Sequence, residues 1–317
     1  MKLYPMKLIP AVKEIIWGGD KLKTDYHKSA PFEKLAESWE LTVRPDGMNI
    51  VANGEYSGKK LGDVLSNEMI DRNYNADRFP LLIKFIDAHD KLSIQVHPSD
   101  DYALKNEGEF GKTEMWYIVE AEPDAELVFG LEGEYSKEIF DKAVENKTIE
   151  SLLHRVKVKP GDVFFIPSGL VHAIGAGILI CEIQQNSNVT YRVYDYDRPG
   201  KDGKPRELHV AKARDVIASY SEAQLGTLRF SGNADLTDDL LATCDKFTVH
   251  KYDVSGEKTL DVGENSFVSL TFTSGDGDII FEGNSYSFVK GDTYFLPAGL
   301  GEVRIKSESA TCIAAEI

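Results

Sequence analysis

Apolar and polar residues alternate along this chain in short runs, which glycine, proline, asparagine and aspartate interrupt. A period of two is typical of β-strands, and the turn-forming residues mark their ends. Two segments, 136–145 and 207–219, instead have apolar residues at helical spacing with acidic residues near their starts. The pattern predicts a mainly β fold with a small helical portion, in which strands include 81–86, 92–97, 115–119, 162–166, 178–183 and 189–194.

One internal repeat predicts the architecture. The segment GDVFFIPSGLVH at 161–172 recurs as GDTYFLPAGLGE at 291–302, with Gly, Asp, Phe, Pro, Gly and Leu at the same offsets. In each copy a Gly-Asp turn precedes an apolar strand, and a Pro-x-Gly turn ends it. We therefore expect two β-barrels of one kind that meet in the polar stretch 224–239, and we predict domains at 1–225 and 226–317.

Composition and charge limit the classes of function. The chain has 317 residues, more than one hydrophobic core usually covers, and its net charge of -16 disfavours nucleic acid and anionic membranes as partners. No run approaches the roughly 20 apolar residues of a membrane span. Three widely spaced cysteines, Cys181, Cys244 and Cys312, are typical of reduced thiols. We expect a cytoplasmic protein that acts on a small molecule, with its oligomeric state left open.

The first copy of the repeat carries a recognisable motif. Residues 161–172 match Gly-x5-Pro-x-Gly-x2-His, the second motif of the cupin superfamily, at every fixed position. The resemblance implies a jelly-roll barrel with a metal ion bound inside its mouth, and His172 as one ligand. The second copy has Glu302 where the ligand histidine would stand. We therefore expect two cupin barrels and one metal site, in the first barrel only.

Four residues of the first barrel form a candidate ligand set. Gln95 and His97 are two positions apart in a predicted strand, so they point to the same face. Glu114 begins the next strand, and His172 follows the Pro-x-Gly turn. Two imidazoles, a carboxylate and an amide oxygen suit Zn²⁺, with Mn²⁺, Fe²⁺ and Co²⁺ as competitors. The set departs from the first cupin motif, because Gln95 replaces a histidine and Glu114 lies farther downstream than usual.

That departure resembles one family. Gln-x-His-Pro-x-Asp at 95–100, followed by Gly-Lys-x-Glu-Met-Trp at 111–116, is similar to type I mannose-6-phosphate isomerase in its short bacterial form. The blocks 17–19, 37–42, 80–88 and 188–195 are similar to the same family. The resemblance implies an isomerase that interconverts mannose 6-phosphate and fructose 6-phosphate by proton transfer through a cis-enediolate. It also implies one Zn²⁺ per chain, held by Gln95, His97, Glu114 and His172.

The same resemblance implies a catalytic role for Arg192. A guanidinium is permanently charged, so it can stabilise the enediolate anion but is a poor base. The family often has aspartate four residues before this arginine, whereas this chain has Asn188, so we expect no acidic role there. The competing interpretation of Arg192 is a surface salt bridge, which is common in acidic proteins.

The general base and the phosphate ligands stay open at the level of the sequence. Lys84 and Lys112 lie in matched blocks, and a lysine desolvated near a metal can transfer protons. Either could instead bind the substrate phosphate, as could Ser99 or Arg198. We predict Lys84 and Lys112 as catalytic or substrate-binding residues, with Ser99 and Arg192 also in the substrate site. The tryptophans are expected in the core rather than as sugar platforms: Trp17, Trp39 and Trp116.

Two other functions remain open. Two histidines and a carboxylate also resemble the facial triad of Fe²⁺ oxygenases. A cupin that binds a phosphosugar without catalysis would need the same barrel. A nicotinamide-dependent enzyme is not expected, because Gly175-Ala-Gly177 lacks the third glycine of the dinucleotide fingerprint.

Overall fold

The computed structural model describes residues 2–133, 135–200, 203–230 and 239–317. Strands predominate over helices, which confirms the predicted mainly β fold. In chain order the strands are β1 (Met6–Ile9), β2 (Ala11–Lys13), β3 (Glu37–Leu41), β4 (Val43–Arg44), β5 (Gly47–Met48), β6 (Ile50–Val51), β7 (Leu81–Ala88), β8 (Ile94–Val96), β9 (Glu114–Ala121), β10 (Glu126–Leu131), β11 (Leu153–Lys157), β12 (Val163–Ile166), β13 (His172–Ile174), β14 (Ile178–Gln185), β15 (Tyr191–Tyr194), β16 (Arg229–Phe230), β17 (Leu240–Thr243), β18 (Thr248–Val262), β19 (Val268–Ser274), β20 (Asp276–Phe281), β21 (Asn284–Val289), β22 (Thr293–Leu296) and β23 (Gly301–Glu316).

The helices are short. They are α1 (Lys21–Thr24), α2 (Leu61–Val64), α3 (Asp100–Glu107), α4 (Lys137–Glu145), α5 (Val210–Val216) and α6 (Glu222–Thr227), with 3₁₀ turns at Gly54–Tyr56, Asn67–Met69 and Ile149–Leu152. Among the described residues, each of these helices falls short of the length and apolar character that a membrane span requires.

The two predicted helices are both present. Helix α4 begins where the sequence placed it, because Ser136 caps it by accepting a hydrogen bond from the Ile139 backbone N–H (3.1 Å). Helix α5 is shorter than the predicted 207–219. Helix α6 was not predicted, although Ser221 and Gln224 form a capping box at its start. The predicted boundary stretch 224–239 therefore overlaps α6, and its residues 231–238 lie outside the described residues.

Contacts divide the described chain into two compact units. We call residues 2–13, 20–85 and 239–317 the terminal unit, and residues 14–19 and 86–230 the central unit. The predicted domains, 1–225 and 226–317, group the N-terminal residues differently. The difference arises because β1 pairs with β22 and with β6, so N-terminal strands join the sheet of the C-terminal barrel. The domain limits stay a prediction.

The central unit is a barrel built from two sets of strands. One is a five-stranded sheet in the order β11–β10–β13–β8–β15, and the other pairs β16–β12–β9–β14. Helices α4 and α5 contribute Phe140 and Ala213 to an apolar cluster with Ile94, Val96 and Val193 of the five-stranded sheet. Because side chains alternate along a strand, the residues between those apolar positions face the other set of strands.

The terminal unit contains a nine-stranded antiparallel sheet. Its order is β17–β18–β23–β19–β22–β1–β6. Strand β20 also pairs with β23, and β21 pairs with β20. The long strands β18 and β23 pair along nearly their whole length. Their inner face packs on an apolar core in which the rings of Phe272 and Phe288 stack at a centroid distance of 3.6 Å. This unit is the second cupin barrel.

The repeat found in the sequence adopts the same local structure twice. Gly161 and Gly291 begin the two copies with φ of +91° and +95°, a backbone conformation that favours glycine, and β12 and β22 follow at the same offset. Equivalent hydrogen bonds form at both turns of each copy. At the Pro-x-Gly turn, Leu170 N–H donates to Pro167 O (3.2 Å) and Leu300 N–H donates to Pro297 O (3.1 Å). At the Gly-Asp turn, Asp162 O accepts from Ile118 N–H and Asp292 O accepts from Phe272 N–H (both 2.9 Å). The predicted pair of cupin barrels is confirmed.

The two copies diverge after the Pro-x-Gly turn. His172 is completely buried, whereas Glu302, its counterpart by position, is exposed and the next residue, Val303, is buried instead. Gly301, at φ +85°, precedes Glu302 where the first copy has Val171. Glu302 is therefore a counterpart of His172 by sequence position alone, because its side chain faces away from the barrel core.

Candidate active site

Strand pairing places the predicted metal ligands on facing surfaces of the central barrel. Gln95 on β8 lies directly opposite His172 on β13, so the two side chains share a face of the five-stranded sheet. Glu114 begins β9 in the other set of strands, opposite Ile166 and Gln184. The two surfaces meet inside the barrel.

Three of the four predicted ligands converge. His97 Nε2 lies 3.2 Å from His172 Nε2 and 3.6 Å from Glu114 Oε2, and His172 Nε2 lies 3.4 Å from Glu114 Oε1. All three residues are buried, with at most 1% of each exposed. His97, Glu114 and His172 are the group within the described residues whose ligand atoms lie close enough together to hold one metal ion.

Hydrogen bonds fix the state of both rings. His97 Nδ1–H donates to Val189 O (2.9 Å), and His172 Nδ1–H donates to Leu170 O (2.8 Å), since a carbonyl oxygen can only accept. A neutral ring that donates through Nδ1 has its lone pair on Nε2, which here faces the other ring and Glu114. Burial lowers the pKa of His172 to about 4, which keeps this ring neutral at pH 7. A neutral imidazole oriented by a backbone carbonyl is the form in which histidine binds metals.

The donor set fits a divalent cation. Two lone pairs and a carboxylate face one another across 3.2–3.6 Å, an arrangement that is repulsive without a cation between them. The nearby charges also favour a cation. The two buried carboxylates of Glu114 and Glu182 exceed the ammonium of Lys112 by one negative charge. Two nitrogens and a carboxylate suit zinc and the other first-row divalent metals.

Gln95 lies beside this group. Its Nε2 is 3.3 Å from His172 Nε2, and rotation about the terminal torsion would bring Oε1 to the same place. The structure thus places Gln95 next to the three converging residues. The role of Gln95 as a ligand stays a prediction.

Lys112 contacts the carboxylate of the group. Its Nζ lies 2.7 Å from Glu114 Oε2 and 4.0 Å from Glu182 Oε1, and 5% of the residue is exposed. The loop before it is held by a close approach, because a Cβ on Gly111 would lie 2.4 Å from the backbone of Asp100. Lys112 N–H also donates to Pro98 O (3.0 Å). The predicted Lys112 is therefore fixed within the site.

Sequence reasoning missed two residues of the site, both on β14. Glu182 is 3% exposed and accepts a hydrogen bond from Trp116 Nε1–H (3.1 Å), and the ring of Trp116 meets His172 edge-on. Gln184 lies opposite Glu114, and its amide donates to the carbonyls of residues 185 and 187 (both 2.7 Å). The signal was present, because polar residues at 182 and 184 alternate with apolar ones in a strand buried throughout.

Arg192 is half-buried and lies opposite Gln95 on the neighbouring strand β15. Its Nη1–H donates to Glu207 O (2.7 Å), while its buried Nε has no hydrogen-bond partner among the described residues. Burial and the proximity of Arg206 lower the pKa of Arg192. The alternative interpretation, a surface salt bridge, is not supported, since Arg192 forms no ion pair within the described part of the chain.

The remaining predicted residues have different environments. Ser99 is exposed at the N-cap of α3. Arg198 donates to Asp195 (2.6 Å) and to Asp90 (3.1 Å), so an ion-pair network holds it. Lys84 is 5% exposed and belongs to the terminal unit, where its Nζ lies 3.9 Å from Glu37 Oε2. The roles predicted for Lys84 and Ser99 stay predictions.

A buried His/Glu/His donor set inside a jelly-roll barrel defines a metal-binding cupin. The family model "Phosphomannose isomerase type I, catalytic domain" matches residues 6–132, and "Mannose-6-phosphate isomerase, cupin domain" matches residues 237–316. The mannose-6-phosphate isomerase ManA of Bacillus subtilis is 40% identical over all of both chains, and that of Streptococcus mutans is 37% identical over 92% of both. The crystal structure of the Bacillus subtilis mannose 6-phosphate isomerase superposes with a TM-score of 0.89 at 37% identity, over 99% of both chains. The chain belongs to the type I phosphomannose isomerase family.

Proposed function

We propose that this protein interconverts mannose 6-phosphate and fructose 6-phosphate. The observation that carries the proposal is the buried group of His97, Glu114 and His172, with Lys112 on its carboxylate, in a chain of the type I phosphomannose isomerase family. Aldose–ketose exchange moves a proton between C1 and C2 of the open-chain sugar. Such a reaction requires a proton carrier and stabilisation of a cis-enediolate anion.

We propose zinc as the metal, one per chain, held by His97, Glu114, His172 and Gln95. When bound there, it would polarise the C1 or C2 oxygen of the sugar as a Lewis acid. Among the described residues this donor set lies in the central barrel, and the second barrel has the exposed Glu302 where the first has His172. The two imidazole nitrogens support zinc over magnesium or calcium, which prefer oxygen ligands.

The chain's own residues supply the other functions. Lys112 is buried beside Glu114 and can exchange a proton with a sugar carbon or oxygen in the barrel. Lys84, also buried, is the second candidate. Arg192 presents a half-buried cation that forms no ion pair with a carboxylate among the described residues, which suits an anion, either the enediolate or the substrate phosphate. Ser99 is a further proposed contact of the phosphosugar.

The Fe²⁺ oxygenase and the non-catalytic cupin are not favoured. Both alternatives use the same ligand triad, and membership of the isomerase family supports neither. We also propose that the protein acts in the cytoplasm, which its free cysteines support: Cys181, Cys244 and Cys312.

A coupled assay with mannose 6-phosphate tests the proposal. Protein stripped of metal by chelation should show no turnover, and stoichiometric zinc should restore it under argon as well as in air. Turnover that requires oxygen would indicate the oxygenase instead. Saturable binding of mannose 6-phosphate without turnover, in zinc-restored protein, would indicate a binding cupin.

A further inference from the structure

The second barrel has a cleft at the place where the first barrel has its metal site. In the first barrel, Glu114 on β9 lies opposite Ile166 on β12. In the second barrel, Val268 on β19 lies opposite Leu296 on β22, and Leu296 has the same position in the repeat as Ile166. Val268 is therefore the counterpart of Glu114.

The neighbouring strand of the second barrel, β23, has also lost an acidic residue. Glu182 on β14 lies opposite Trp116, whereas its counterpart Ala314 on β23 lies opposite Leu270. Two acidic side chains of the first barrel are thus replaced by a valine and an alanine. Small apolar side chains leave space, and a cleft of about 500 Å³ opens there, lined in part by Val268 and Ala314.

Two aromatic side chains line one wall of this cleft. His250 and Tyr252 are two positions apart on β18, so they share a face. Their rings lie 5.9 Å apart and within 13° of parallel. Lys258 Nζ lies 4.6 Å from the centre of the Tyr252 ring. Burial raises the pKa of Tyr252 to about 12, so its hydroxyl stays protonated and can both donate and accept hydrogen bonds.

Two charged groups of the cleft form an ion pair with each other, and a histidine lies near a third. Lys258 Nζ lies 2.7 Å from Asp239 Oδ2, and His250 Nε2 lies 3.7 Å from Glu316 Oε1. With Asp261 also in the lining, carboxylates outnumber the ammonium group by two. A phosphate dianion is repelled by this surface. A neutral ring with an apolar face and hydroxyl groups at its edge has complementary chemistry, because carboxylate oxygens accept hydrogen bonds and aromatic rings cover C–H groups.

We propose that this cleft in the second barrel binds an unphosphorylated hexose, at a site separate from the metal centre. The apolar part of the sugar packs against the side chains of His250, Tyr252 and Val268, and its hydroxyls contact Glu316 and the Lys258–Asp239 pair. The site distinguishes free sugar from sugar phosphate by charge. It does not depend on the isomerase activity proposed above.

Methyl α-D-mannopyranoside is the probe for this site, because its glycosidic bond locks the ring and prevents isomerisation. Saturation-transfer difference NMR on the full-length, zinc-loaded protein should show saturable binding with a Kd on the order of millimolar. Tyr252→Ala should weaken binding by about tenfold or more, and Tyr252→Phe, which keeps the ring, by less. His172→Ala should bind the probe as the wild type does.

Three outcomes would overturn the proposal. Absence of saturable binding by the wild type is one, and equal affinity in Tyr252→Ala and the wild type is another. Displacement of the probe by mannose 6-phosphate would place it at the metal centre instead. Unchanged melting temperatures and circular dichroism identify variants that remain folded. If Tyr252→Ala does not fold, Lys258→Met and Glu316→Gln, at the partly exposed edge of the cleft, provide the same test.

Discussion

Arg192 lies directly opposite Gln95 where β15 pairs with β8, and Gln95 lies in turn opposite His172 on β13. Residues that are opposite in an antiparallel ladder share a face of the sheet. Arg192, Gln95 and His172 therefore form one row across three strands. The backbone of Arg192 lies two strands, or about 10 Å, from that of His172. A sugar phosphate is long enough to contact both.

Arg192→Ala tests whether the guanidinium binds the enediolate or the substrate phosphate. If Arg192 stabilises the enediolate, its interaction is stronger in the transition state, so kcat should fall by about 10²–10³ while KM changes far less. Arg192→Lys should restore activity only in part, because an ammonium lacks the planar fork. Zinc content should not change. Near-normal kcat with a large rise in KM would instead identify Arg192 as the phosphate ligand.

His97→Ala and His172→Ala should each abolish stoichiometric zinc after dialysis, as measured by elemental analysis. Each removes one of the two imidazole nitrogens that lie 3.2 Å apart. Gln95→Ala should weaken retention less, since an amide is the weaker ligand. The matched control is His154→Ala, whose ring is partly exposed beside Glu132. Full zinc content in His172→Ala would refute the site.

Lys112→Met should separate turnover from metal binding. Without the ammonium, the two buried carboxylates have two negative charges and the divalent ion balances both, so zinc should be retained while kcat falls by orders of magnitude. The metal-free variant should melt at a lower temperature than the metal-free wild type, because Glu114 loses its ion-pair partner. Activity within a few-fold of the wild type would exclude Lys112 as a proton carrier.

Trp116→Phe should lower both stability and kcat with zinc content unchanged. The substitution keeps most of the buried ring but removes the N–H that holds Glu182. A hydrogen bond to a charged group contributes about 1.5–3 kcal/mol to the free energy of unfolding, which chemical denaturation would measure. Trp17→Phe, at another buried tryptophan of the central unit, is the control for loss of indole volume. Equal effects of the two substitutions would mean that packing alone explains Trp116.

Asp195→Asn should destabilise the central unit in a pH-dependent way. Burial opposes ionisation of Asp195, but Arg206 and Arg198 outweigh it and lower its pKa. A carboxylate with a lowered pKa contributes stability above its unfolded pKa, about 3.9, and loses it as the pH falls through the folded value. We expect a loss of about 2–4 kcal/mol at pH 7 that shrinks below pH 4. A loss independent of pH between 3 and 7 would contradict the ion-pair explanation.

Local chemistry explains what the sequence predicted well. The Gly-Asp and Pro-x-Gly turns of 161–172 and 291–302 depend on neighbouring residues, and they form the same hydrogen bonds in both barrels. The alternation that placed Gln95 and His97 on one face is also local, as is the cap that begins α4 at Ser136. His172 was identified through a motif whose spacing the turn itself fixes.

Glu182 and Gln184 were missed for a different reason. Both lie in β14, a strand that is buried on both faces. The sequence shows polar residues within an apolar strand, but it does not show which residues they contact. Their position beside Glu114 and Lys112 depends on the pairing of β14 with β9, strands separated by many residues.

The sequence by itself determined the two jelly-roll barrels, the candidate ligands Gln95, His97, Glu114 and His172, and the family to which the chain belongs. Only the tertiary structure decided that N-terminal strands complete the sheet of the second barrel, and that Glu302 faces away from its core. Turn conformation and strand period depend on adjacent residues, whereas the partner of a strand and the face it buries depend on contacts between distant ones. Gly301 illustrates the difference. After this glycine, which has a left-handed conformation, the second barrel buries Val303, whereas the first barrel buries His172, the counterpart of residue 302.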